Sequence, residues 1–117
     1  VYESLVAADM LNEKGISASV INMHTIKPLD TSIIHDTCTH SKLIVTVEEH
    51  SVIGGLGGAV AEYLSGIPNT PQLIRIGIPD KFQQVGDYQY LLKNNNLTGP
   101  QIASRIYGDF MRIISIN

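Results

Sequence analysis

The sequence contains no tryptophan and only one cysteine, Cys38, among its 117 residues. A single cysteine cannot form an internal disulfide, which argues against a disulfide-stabilised secreted scaffold. No apolar run approaches the roughly 20 residues that a membrane-spanning helix needs. The N-terminus also lacks the basic start and apolar stretch of a signal peptide. These absences predict a soluble, cytoplasmic protein.

Positive charge is also scarce, with 8 Lys and Arg residues against 11 Asp and Glu residues, for a net charge of −3. The basic residues are scattered along the chain, whereas a nucleic-acid surface needs them clustered. The composition, with 44% hydrophobic and 16% charged residues, is that of a globular protein. The length suits one domain, so we expect residues 1–117 to form a single domain that binds neither nucleic acid nor membrane.

Helical spacing of apolar residues recurs along the chain and is bounded by suitable end signals. Gly15 stands where the first helix should stop, Asp30 is a good N-cap, and Thr98 and Gln101 have the spacing of a capping box. The predicted helices span residues 1–14, 31–40, 56–65, 87–96 and 98–111.

Three apolar segments between these helices have the character of strands. Residues 16–26 alternate, with Ile16, Ala18 and Val20 on one face, while residues 42–49 and 72–80 are nearly continuous in apolar character. Helices and strands that alternate in this way predict an α/β fold, a three-layer α/β/α sandwich with a mostly parallel sheet. Because such domains normally open on a strand, we expect the first strand to be missing from this chain.

The strongest local motif is the run from Val47 to Gly58, in which a strand end with two carboxylates leads through glycines into a helix. The free N–H groups at that helix start could hold an anion. A dinucleotide fingerprint is not met, because Val60 stands where a third small residue is required, and no Lys-Ser or Lys-Thr follows to make a P-loop. The preferred interpretation is that the glycines let the helix pack closely on the sheet.

Other chemistry-bearing residues show no recognised spacing. Glu48 and Glu49 should point to opposite faces of a strand, so they are not expected to act on one substrate. His50 beside them is the most interesting of the histidines, none of which has metal-ligand spacing. Cys38 is interpreted as a buried structural residue. We therefore predict no catalytic, cofactor-binding or metal-binding residue. A candidate anion or interface site comprises Glu48, Glu49, His50, Gly54, Gly55, Gly57, Gly58 and Asp80.

Three segments together resemble the C-terminal domain of transketolase-like enzymes. These are LIVTVEEHSVIGGLGGAVAEYL at residues 43–64, SVINMHTIKPLD at 19–30 and RIGIPDKFQQVG at 75–86. They occur in the family's order and cover most of the chain. The resemblance implies a three-layer α/β/α domain that begins with a strand not present here.

The resemblance also implies a function for the parent enzyme. Full-length relatives bind thiamine diphosphate and a divalent metal such as Mg²⁺ between two preceding domains, through a Gly-Asp-Gly motif that this chain lacks. The pyrimidine-binding and diphosphate-binding domains of the same enzyme are thus the implied partners, in a homodimer. The resemblance implies a non-catalytic structural or dimerisation domain of a transketolase, which transfers two-carbon ketol units between sugar phosphates.

Several alternatives remain open. Deoxyxylulose-phosphate synthases share the Gly-x-Pro-Asp-x-Phe stretch at residues 77–82, and the E1 β-subunits of 2-oxoacid dehydrogenases rank third because they usually lack it. A module of another class would bind a regulatory anion at the glycine turn. A receiver-like signalling domain ranks last, because the acidic pair comes too late in the chain for its early strands.

Overall fold

A computed structural model of the chain describes residues 2–23, 29–48, 55–77, 92–94 and 96–116. The chain divides into two compact units: a terminal unit, Val1–Asn22 with Val85–Asn117, and a central unit, Met23–Gln84. The described helices and strands are α1 (Tyr2–Glu13), α2 (Thr31–His40), β1 (Leu43–Glu48), α3 (Leu56–Ser65), β2 (Gln72–Gly77) and α4 (Gly99–Ile116).

The terminal unit is built on the packing of α1 against α4. Glu3 near the start of α1 accepts a 2.6 Å hydrogen bond from the backbone N–H of Gly99, the first residue of α4. After the last turn of α1, the Lys14 ammonium lies 4.5 Å from the ring centroid of Tyr107. The two helices therefore run in the same direction, and α4 continues beyond the end of α1. The buried apolar side chains of this unit are Ala7, Ala8, Leu11, Leu92, Leu97, Ile102 and Ala103.

Gly99 lies where α4 closely approaches Val6 of α1. A Cβ at this position would stand 2.5 Å from Cγ1 and 2.6 Å from Cβ of Val6. Carbon atoms that are not bonded to each other do not come this close in real structures. A larger residue at position 99 would therefore push the helices apart. The absence of a side chain at position 99 thus sets the spacing of the terminal unit.

Helix α1 ends in a Schellman motif at the glycine that the sequence predicts as its stop signal. Gly15 has a φ of +84°, a conformation that glycine adopts without a steric penalty. Its N–H donates to the carbonyl of Asn12 and the N–H of Ile16 donates to that of Leu11, at 3.1 and 3.0 Å. These bonds satisfy two carbonyls that would otherwise have no partner at the helix end.

The predicted strand at residues 16–26 is not a strand where the structure describes it. Residues 16–23 are neither helix nor strand, and residues 24–26 lie outside the described part of the chain. Ladder hydrogen bonds require a neighbouring strand, and among the described residues only β1 and β2 pair with each other. The alternation of side chains predicts an extended backbone, but it does not show whether a neighbouring strand is available to pair with it.

In the central unit, β1 and β2 form a two-stranded parallel sheet. Their register places Thr46 beside Arg75 and Glu48 beside Gly77. Helix α3 connects the strands in sequence and packs on both of them. The core cluster of this unit is Ile34, Val60 and Leu64, with partly buried side chains around it.

Two of the predicted helix starts, those at Asp30 and Thr98, are confirmed by their hydrogen bonds. Asp30 is the N-cap of α2, and its Oδ1 accepts a 3.2 Å bond from the N–H of Ile33. At the start of α4, Oε1 of Gln101 accepts a 3.2 Å bond from the N–H of Thr98, as in a capping box. Helix α4 extends to Ile116, five residues beyond the predicted end at Met111.

The predicted fold class, α/β with a parallel sheet, is confirmed. The helix predicted at residues 87–96 falls mostly outside the described residues, but residues 92–94 are helical. Asn96 follows them with a φ of 59°, and the N–H of Leu97 donates to the carbonyl of Leu92 at 2.7 Å. Within the described part of the chain, no helix is both long and apolar enough to cross a membrane.

Candidate functional site at the start of the third helix

The structure describes part of the predicted anion or interface site. Glu48 is the last residue of β1, Gly55 is the N-cap of α3, and Gly57 and Gly58 lie in the first turn of that helix. These residues lie close together at one end of the sheet. The other members of the predicted site, Glu49, His50, Gly54 and Asp80, lie outside the described residues.

The Glu48 carboxylate binds the first turn of α3. Oε1 accepts a 2.5 Å hydrogen bond from the N–H of Leu56, and Oε2 accepts a 3.0 Å bond from the N–H of Gly57. The first N–H groups of a helix have no partner within the helix, and they carry the positive end of its dipole. A carboxylate here satisfies both the hydrogen bonds and the charge.

Glu48 does this because the N-cap residue cannot. Gly55 has no side chain, and it makes no side-chain cap hydrogen bond. In most helices a Ser, Thr, Asp or Asn at the N-cap would accept one of these bonds. Glu48 replaces that local cap from the end of the preceding strand, and so joins β1 to α3 across the intervening residues.

The same turn packs against the sheet through Gly57. A Cβ on Gly57 would be 2.8 Å from Nε of Arg75 and 2.9 Å from Oγ1 of Thr46. A Cβ on Gly58 would be 3.5 Å from a terminal guanidinium nitrogen of Arg75, an ordinary contact. At Gly57, therefore, the missing side chain is what permits α3 to approach the strands. This supports the packing interpretation of the glycines.

Thr46 and Arg75 complete this cluster, and neither of them is among the predicted site residues. Thr46 is 5% exposed, and its Oγ1 has no hydrogen-bond partner among the residues that the structure describes. The Arg75 side chain lies beside Gly57 while the residue as a whole is exposed. One sequence signal points to Thr46, because it shares a strand face with Glu48. Arg75 lies beside Thr46 through the register of the two strands, which the sequence does not provide.

The geometry bears directly on the predicted anion site. The N–H groups of Leu56 and Gly57 are the donors that an anion would need, and Glu48 already occupies them. The binding of an external anion here remains a prediction, which would require those two bonds to be replaced. As it stands, the cluster is suited to holding β1, β2 and α3 together.

Of the other polar residues discussed above, Cys38 and His40 make contacts within the fold, and His35 is exposed. Cys38 is half-buried and packs against the core cluster of the central unit. Nδ1 of His40 lies 2.9 Å from the carbonyl oxygen of Asp36 within α2. His35, one turn before Thr39, is exposed. Among the residues that the structure describes, no group of three or more His, Cys, Asp or Glu side chains is arranged to hold a metal ion.

Comparison with known proteins places the chain in a family. Residues 1–102 match the family described as the transketolase C-terminal domain. A Methanocaldococcus jannaschii protein named as a transketolase C-terminal section is 48% identical over 91% of this chain and 33% of the relative. A 1-deoxy-D-xylulose-5-phosphate synthase of Synechococcus is 42% identical over 94% of this chain and 17% of the relative.

A solved structure has the same fold. It is described as a split-gene transketolase in an inactive β4 tetramer, with a TM-score of 0.80 and 36% identity over 92% of this chain and 35% of that chain. This chain thus spans about a third or less of the length of each of these relatives. The match over most of the sequence and the parallel α/β fold lead to one conclusion: the chain belongs to the transketolase C-terminal domain family.

Proposed function

We propose that this chain is the non-catalytic C-terminal assembly domain of a cytoplasmic transketolase, which transfers two-carbon ketol units between sugar phosphates. Thiamine diphosphate and Mg²⁺ would bind to the pyrimidine-binding and diphosphate-binding domains of the same enzyme. This domain would contribute surface that holds those domains in register, within a homodimer.

The relatives support the transketolase assignment over its nearest rival. The M. jannaschii transketolase section is 48% identical to this chain, whereas the Synechococcus synthase is 42% identical. The split-gene transketolase supports the idea that such a domain can belong to a separate subunit. A domain of 1-deoxy-D-xylulose-5-phosphate synthase is the second candidate, because six further synthases are 35–41% identical to this chain.

The observation that supports a non-catalytic role is the hydrogen bonding of the Glu48 carboxylate. A general acid or base must have its carboxylate in reach of a substrate proton. Both oxygens of Glu48 instead accept bonds from the start of α3. The described carboxylate of the family motif therefore supports the fold of the domain.

An exchanged-domain enzyme tests the proposal. The homologous C-terminal region of the M. jannaschii relative would be replaced by this chain, the cognate catalytic section would be added, and ketol transfer would be measured with thiamine diphosphate and Mg²⁺. We expect activity from the reconstituted enzyme and none from this chain alone. A parallel exchange into the Synechococcus synthase would report formation of 1-deoxy-D-xylulose 5-phosphate.

The outcomes separate the alternatives. Activity only in the synthase background would favour the second candidate over transketolase. Turnover by the isolated chain would contradict the non-catalytic role. A folded exchange that fails to support activity in either background would count against the assembly role itself.

A further inference from the structure

We draw no further inference here: the strongest candidate, the side-chain cluster of Thr46, Glu48 and Arg75 at the start of α3, belongs to the site already described, and Glu48 itself occupies the N–H groups that a ligand would need.

Discussion

Glu48 shows how one side chain can replace a missing local cap. Most helices begin at a residue whose own side chain accepts an N–H bond, but α3 begins at Gly55. The carboxylate of Glu48 reaches the N–H of Leu56 from eight residues earlier in the chain. The start of α3 thus depends on a residue of the preceding strand, which couples the two elements.

Replacing Glu48 by alanine should therefore destabilise the central unit. Two N–H groups lose a charged acceptor, so we expect the free energy of unfolding to fall by about 1–3 kcal/mol. Glu48→Gln keeps one acceptor oxygen and should lose less. Urea denaturation measures both. The matched control is Glu62→Ala on the exposed face of α3, which should change stability by less than about 0.5 kcal/mol; equal losses at both positions would refute the capping role.

Thr46 permits the opposite kind of change. Among the described residues its hydroxyl is buried without a hydrogen-bond partner, and such a group costs stability relative to an apolar group of the same shape. We expect Thr46→Val to raise the free energy of unfolding by about 1 kcal/mol. The control is Thr37→Val, which removes a hydroxyl that donates a 2.8 Å bond to the carbonyl of Ile33. A thermal melt in which Thr46→Val is less stable than wild type would show that the hydroxyl has a partner in solution.

At the scale of elements, the spacing of α1 and α4 depends on one glycine. Gly99 stands against Val6, whereas Gly108 further along the same helix has no atom within 4 Å of an added Cβ. The two positions therefore separate the effect of close packing from the effect of helix propensity within a single helix.

Alanine at these two positions should have effects of opposite sign. Gly99→Ala forces Val6 or the helix backbone to move, so we expect a loss of about 1–3 kcal/mol in the free energy of unfolding. Gly108→Ala should instead gain up to about 1 kcal/mol, because alanine favours the helix. Chemical denaturation followed by circular dichroism gives both values. A gain at both positions would mean that α1 and α4 are not held as closely as the structure shows.

At the scale of the whole molecule, the chain covers only part of the length of its relatives. It spans 33% of the M. jannaschii relative and 35% of the split-gene transketolase chain. The proposed function assigns the chemistry of the parent enzyme to other domains. Under the proposed function this chain would contribute contact surface, and the exchanged-domain enzyme tests that role.

The sequence predicted those features that depend on neighbours along the chain. Gly15, Asp30 and Gln101 act where their types and spacing indicated, because helix ends are local structures. The strands at β1 and β2 followed from short β-branched runs. The glycine-rich motif indicated the transketolase-like family without any knowledge of contacts. It does so because the resemblance extends over 22 consecutive residues, Leu43 to Leu64.

Only the tertiary structure decided what these features do. Residues 16–23 alternate like a strand but do not form one in the structure, because hydrogen-bond ladders need a partner that sequence periodicity cannot provide. The hydroxyl of Thr46 in β1 is buried because Gly57 of α3 approaches it closely, and folding brings these two elements together. Residue type alone also could not decide whether the Glu48 carboxylate faces a ligand, solvent or the start of α3. Its two bonds to α3 resolve that question because they require the end of a strand and the start of a helix to meet in space.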